Sequence, residues 1–174
     1  MALCAGFVTG RPFSRAFFAL FALLPAPAPA ASPQAPDFTL HTLSGAEIRS
    51  PTLQGKVILL NFWATWCVPC KRELVDLDQA LLRYGPDRVA IFAIDADLAS
   101  APRQVERQAA TMRVPVATSI TGDYHPRHNA VPTTYVIDPH GRLVLVKAGA
   151  FKPGEIDALI RALLALSPVT GSSH

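Results

Sequence analysis

The chain has 174 residues, half of them hydrophobic, which supplies one sizeable core and not comfortably two. Its formal charge of +3 includes Arg11 and Arg15; beyond residue 30 there are 14 basic and 13 acidic side chains, a net of +1. A balance this close to neutral excludes the broad positive footprint of a nucleic-acid-binding domain.

Arg11 and Arg15 precede a short apolar run, Ala16 to Leu24, and then a proline- and alanine-rich stretch that includes Ala28-Pro29-Ala30-Ala31. A basic start, an apolar centre and small residues at Ala28 and Ala30 read as an export signal over residues 1–30, cleaved before Ala31. The alternative is an uncleaved membrane anchor, although the run is short of the ~20 residues a spanning helix needs. Cys4 stands ahead of the apolar run, whereas a lipoprotein cysteine would follow it. Export places the protein in the periplasm or beyond, where disulfides form and persist. Residues 31–36 are expected to be an extended linker, and the folded domain is expected over 37–174.

Within that domain, Phe38-Thr39-Leu40 and Glu47-Ile48-Arg49, with Gly45 as the turn residue, predict an N-terminal hairpin. Leu53 to Lys56 turn the chain into Val57–Trp63, an apolar run of the kind that marks a strand buried on both faces, with Phe62 and Trp63 packed in the core. Leu74, Leu77, Leu81 and Leu82 recur at helical spacing and predict a helix over 68–84, stopped by Gly85-Pro86. Val89–Ile94 is the next buried strand, and a strand-helix-strand unit implies parallel pairing through a right-handed crossover. Asp95 and Asp97 read as turn residues. Pro102 opens a second helix to about Met112 along Val105 and Ala109, and Val114–Ile120 reads as a short strand. Thr133–Asp138 and Leu143–Lys147, around Pro139-His140-Gly141-Arg142, predict an antiparallel hairpin. Ile156, Leu159, Ile160, Leu163 and Leu164 predict a closing helix over about 153–166. The fold class is α/β: a central mixed β-sheet with helices on both faces, an N-terminal β-hairpin and an inserted helix-strand.

Between the first buried strand and its helix stands Trp66-Cys67-Val68-Pro69-Cys70. A strand that delivers a Cys-x-x-Cys pair to the first turn of a helix makes a redox-active dithiol. The helix N-terminus stabilises a thiolate on Cys67, and Cys70 lies one turn away, close enough to close a small disulfide ring. A zinc site would need further ligands, and the remaining cysteine, Cys4, falls in the segment expected to be removed. A purely structural disulfide gains little from so short a loop. His125 and His128, near Tyr124 and Pro126, read as residues of a solvated loop rather than metal ligands.

The run Leu60-Asn61-Phe62-Trp63-Ala64-Thr65-Trp66-Cys67-Val68-Pro69-Cys70-Lys71-Arg72-Glu73 resembles the thioredoxin superfamily, and within it the exported TlpA/ResA-like thiol-disulfide oxidoreductases. The resemblance implies a thioredoxin-like fold and dithiol-disulfide exchange, with Cys67 attacking and Cys70 resolving. Val68 and Pro69 carry neither a charge nor a side-chain donor, which points to a moderately stabilised Cys67 thiolate and a reducing couple. Ala130-Val131-Pro132-Thr133-Thr134 resembles the superfamily's cis-proline loop, so Pro132 would lie against the dithiol and the Val131 backbone could pair with an extended substrate segment. Trp66 would cap the active-site surface, and with Val68 and Pro69 it would complete the substrate-binding face.

In ResA-like proteins an acid at the spacing of Glu73 handles protons near the cysteines; the alternative is a solvated first-turn glutamate that favours the helix dipole. Cytoplasmic thioredoxin carries a buried aspartate six residues before its first cysteine, where this chain has Asn61, an amide that cannot take a proton. The resemblance further implies reduction of disulfides in exported proteins, including those of cytochrome c or oxidase assembly, with a membrane thiol carrier as electron donor, no cofactor and a monomeric state. Three rivals stand beside it. A peroxiredoxin-like peroxidase uses a threonine three residues before the reactive cysteine, where Ala64 stands and Thr65 is one place too late. A disulfide-forming oxidase usually has a histidine between its cysteines, and copper-binding assembly proteins space theirs by three residues.

Overall fold

The computed structural model describes residues 32–96 and 101–166; the expectations for residues 1–30, Cys4 among them, and for Asp97 lie outside the described residues. In chain order the described elements are β1 (Thr39–Thr42), β2 (Glu47–Arg49), β3 (Val57–Trp63), α1 (Val68–Tyr84), β4 (Val89–Asp95), α2 (Pro102–Ala109), β5 (Val116–Ile120), β6 (Thr133–Ile137), β7 (Leu143–Ala148) and α3 (Glu155–Ala165). The strands form one mixed sheet in the order β2-β1-β5-β4-β3-β6-β7. The pairs β3–β4 and β4–β5 are parallel and the others antiparallel.

Every residue of β3 and β4 is buried, as a strand covered on both faces requires. Alternation along β3 sends Leu59 and Trp63 into one core with Cys70, Leu74 and Leu77 of α1. It sends Ile58, Leu60 and Phe62 into a second core with Phe38, Tyr124 and Tyr135. Helix α1 ends where Gly85 adopts φ +76°, a conformation that costs glycine little, and gives its N–H to the Leu81 carbonyl at 3.0 Å.

The helices do not cover both faces. The buried side chains of α1, Val105 of α2, and Ile156, Ile160 and Leu163 of α3 all join the first core. The strand steps from β3 to β4 and from β4 to β5 run in the same direction across the sheet, so two right-handed crossovers place α1 and α2 on one side. The opposite face is closed by Phe38, Leu53 and Tyr124, with Ala35 packed beside them.

Several boundaries also differ from expectation. Leu82 is 62% exposed, because the inward face of α1 runs through Cys70, Glu73, Leu74, Leu77 and Ala80, and a residue five past Leu77 points about 140° away from it. Helix α2 stops at Ala109, and β5 starts at Val116 rather than Val114. The Asp78 carboxylate takes the N–H groups of Arg113 and Val114 at 2.8–3.0 Å, so those amides do not enter a sheet ladder. Residues 33–36 are bound to the domain rather than free as a linker. Pro33 accepts the Leu143 N–H, the Ala35 N–H donates to Gly141, and the Pro36 carbonyl accepts the Tyr124 hydroxyl at 2.6 Å. Asp95 closes β4 in a buried position opposite Trp63 instead of forming a turn. Ahead of the turn expected at Leu53 to Lys56, Ser50–Leu53 make a short 3₁₀ helix with Pro51 in its first turn.

Candidate active site

Cys67 is the N-cap of α1, with extended backbone at φ −82° and ψ 100°, and its Sγ accepts the Cys70 N–H at 3.2 Å. Pro69 occupies the first turn, where a missing N–H costs nothing. Cys67 and Cys70 are joined in a disulfide with their Cα atoms 5.3 Å apart. The Val131–Pro132 bond is cis, and the Val131 carbonyl oxygen lies 3.6 Å from Cys67 Sγ. The antiparallel register Phe62 to Thr133 and Asn61 to Thr134 is what carries this loop to the end of β3 where α1 begins. Two bonds fix the loop from behind: the Gly149 N–H donates to the Pro132 carbonyl at 2.8 Å, and the Thr133 hydroxyl donates to Ala130 at 2.8 Å.

Cys67 is only 3% exposed, because it packs into the first core with Val131 lying against that core. The exposed surface at the dithiol belongs to its neighbours, Trp66 at 70% and Val68 at 64%. Pro69 and Val131 are half-buried and Pro132 is buried. Phe62 and Trp63 are both core residues, on opposite faces of β3.

Glu73 is 2% exposed, so the solvated reading fails for it. Its Oε1 accepts the Asn61 amide at 2.7 Å and the Thr134 hydroxyl at 2.9 Å, and its Oε2 accepts the Phe151 N–H at 2.9 Å. Asn61 also donates to Thr134 Oγ1 at 2.8 Å. The carboxyl therefore joins α1, β3, β6 and the segment that leads to α3. Burial raises its pKa above 4.5; the Phe151 N–H, the Thr134 hydroxyl and the Lys147 charge pull the other way, and Asp76 adds to the rise. The sequence pointed to Glu73 and Asn61 but not to Thr134 or Phe151 as their partners. Thr134 could have been found from the strand register, since it lies opposite Asn61, whereas a backbone N–H such as that of Phe151 leaves no mark in a sequence.

Among the described residues no group of three or more His, Cys, Asp and Glu side chains is placed to hold a metal ion. His125 Nδ1 lies 3.6 Å from Asp123, and His128 sits in the short 3₁₀ segment Arg127–Asn129 with φ +55°. No described helix is long and apolar enough to cross a membrane.

A mixed sheet of this order, with a Cys-x-x-Cys disulfide capping the helix after its central strand and a cis-proline beside it, defines a thioredoxin-like thiol-disulfide oxidoreductase. The chain belongs to the AhpC/TSA family, whose sequence model matches residues 32–146, and within the thioredoxin superfamily it is TlpA/ResA-like. It is 35% identical over 130 residues to the thioredoxin-like protein YneN of Bacillus subtilis, covering 71% of this chain and 75% of that one. It is 34% identical over 115 residues to the thiol-disulfide oxidoreductase ResA of Bacillus cereus, covering 64% of this chain and 65% of the relative, just under two thirds of its length. Among solved structures, a thiol:disulfide interchange protein of the thioredoxin family from Chlorobium tepidum superposes with a TM-score of 0.61 at 26% identity, over 79% of this chain and 99% of that one.

Proposed function

We propose that the reduced protein reduces disulfides in exported proteins, with Cys67 as nucleophile and Cys70 as resolving thiol. The observation that carries this reading is the Cys70 N–H directed at Cys67 Sγ at the start of α1. The same amide, with the positive end of the helix dipole, stabilises a thiolate on Cys67 and gives Cys70 no comparable partner. The Cys67 thiolate attacks one substrate sulfur and releases the other as a thiolate that takes up a proton. Cys70 then loses its proton and attacks Cys67 Sγ, releasing the second substrate thiol and forming the Cys67–Cys70 disulfide. The substrate gains two electrons and two protons, and a dithiol donor, here a membrane thiol carrier, resets the pair.

Glu73, one turn beyond Cys70 and raised by burial, is suited to accept and return protons during these steps. In this reading Trp66, Val68 and Pro69 would face the substrate on one side and Val131 and Pro132 on the other, with the Val131 backbone, whose carbonyl lies 3.6 Å from Cys67 Sγ, pairing with an extended segment. Export through residues 1–30 and action on proteins of cytochrome c or oxidase assembly complete the reading, with the protein working as a monomer. A peroxidase reading is disfavoured by Ala64, which has no hydroxyl three residues before Cys67.

The test is a trapping experiment. Cys70→Ser should accumulate mixed disulfides with substrate proteins, and Cys67→Ser should not. Equal trapping by the two variants overturns the assignment.

A further inference from the structure

Three segments frame the dithiol. Residues 64–72 carry it; residues 125–134 carry the Val131 carbonyl, 3.6 Å from Cys67 Sγ; residues 147–152 are tied to both by the Gly149 N–H on Pro132 and the Phe151 N–H on Glu73. These segments contain five Lys and Arg residues and no Asp or Glu. Of the 14 Lys and Arg residues beyond residue 30, that leaves nine elsewhere against 13 Asp and Glu, a net of −4. The acids packed against these segments, Glu73 beside Phe151 and Asp95 opposite Trp63, are both buried, so the exposed charge of the three segments is positive. Lys71, Arg72, Arg127 and Lys152 are exposed and take part in none of the ion pairs formed among the described residues. Lys147 is the exception, 3.9 Å from Glu155.

We propose that this collar selects polypeptide disulfides flanked by acidic side chains. The inference rests on the disulfide-reducing reading above and adds the substrate class to it. A polypeptide fits better than a small anion, because the same segments carry two exposed apolar side chains, Trp66 and Val68, beside the dithiol. Charges grouped around a reactive site raise the encounter rate with an oppositely charged partner, typically by about 10- to 1,000-fold, and added salt removes the effect. Exposed cations dispersed around a rim belong at the low end of that range.

The test compares three peptide disulfides of identical core sequence, flanked by Asp and Glu, by Ser, or by Lys and Arg, as substrates of the reduced full chain. Bis(2-hydroxyethyl) disulfide serves as a neutral reference. At about 0.01 M salt, where the screening length is ~30 Å, the acidic peptide should oxidise the reduced chain with a second-order rate constant about tenfold above that of the basic one. At about 1 M salt, where the screening length is ~3 Å, the gap should close. Arg127→Glu combined with Lys152→Glu should narrow the gap at low salt while the rate with the neutral reference stays in the wild-type range. Equal rates for the acidic and basic peptides, with normal reduction of the neutral reference, overturn the collar and leave the exchange reading standing. Equal rates together with sedimentation of the protein on phosphatidylglycerol vesicles would assign the collar to a lipid surface and overturn it equally. Failure to reduce the neutral reference would bring down the exchange reading, and the collar with it.

Discussion

Thr134→Val keeps the shape of a fully buried side chain and removes one hydroxyl from the Glu73 site. That hydroxyl donates to Glu73 Oε1 at 2.9 Å and accepts the Asn61 amide at 2.8 Å; Asn61 keeps its own 2.7 Å bond to Glu73. A hydrogen bond to a charged group contributes about 1.5–3 kcal/mol and one between neutral groups about 1 kcal/mol. The substitution should therefore cost about 1 kcal/mol while Glu73 is protonated and about 2–3 kcal/mol once it is ionised. Burial raises the Glu73 pKa above 4.5, so the folded protein holds that proton more tightly than the unfolded chain does. The resulting stability is fully present below the ordinary glutamate value and is lost as pH rises through the folded one. Removing a donor from the ionised form deepens that loss, so the destabilisation by Thr134→Val grows with pH. Urea unfolding of oxidised wild type and variant from about pH 4 to pH 8 measures it. In a Glu73→Gln background the pH-dependent part should vanish. A destabilisation constant across the range refutes the placement of Glu73 as a buried titrating group held by Thr134.

Glu73→Gln should also alter the pH profile of Cys67 alkylation in the reduced protein more than it alters stability, and superimposable profiles would remove Glu73 from the chemistry. Burial pushes the Asp138 carboxyl up, but the N–H groups of Arg142 and His140 and the Arg142 guanidinium overcome it and hold it below the ordinary 3.8. Asp138→Ala should cost about 2–3 kcal/mol at neutral pH in thermal melts. The difference should shrink as acid protonates the wild-type carboxylate, since a lowered pKa contributes stability above the ordinary value and loses it as pH falls through the folded one. Burial pushes the Tyr124 phenol up to about 12, with Asp37, Tyr135 and Asp123 adding to the rise, so Tyr124→Phe should remove a late phase from the alkaline absorbance titration of the folded protein. The mature exported chain should begin at or near Ala31 by intact mass; full-length chain recovered only from membranes would contradict cleavage.

The long elements were legible because each is specified by its own residues. The all-apolar run of β3, the helical spacing of α1 with its Gly85 stop, and the turn at Pro139-His140-Gly141-Arg142 needed no distant partner to be read. What was missed depends on partners far along the chain. Val114 is kept out of β5 by Asp78, and residues 33–36 are fixed by the turn after β6 and by Tyr124. The placing of α1 and α2 on one face follows from strand order, which local pattern leaves open, and α3 joins them through Ile156, Ile160 and Leu163. In the site, the cysteines and Pro132 announced themselves through spacing and resemblance. The burial of Cys67 and the Glu73-Asn61-Thr134 cluster arise only when β6 is laid against β3.

The central claim, that Cys67 and Cys70 form a reducing dithiol, is tested most directly by its equilibrium with a defined thiol-disulfide buffer. The full domain is equilibrated across a dithiothreitol or glutathione series, alkylated, and counted by mass for free thiols at Cys67 and Cys70. The account predicts a single two-electron transition involving both cysteines, at a potential below about −200 mV and towards the thioredoxin value of about −270 mV. A transition near about −120 mV, the value of a strong disulfide-forming oxidant, would contradict it, as would two cysteines that oxidise independently.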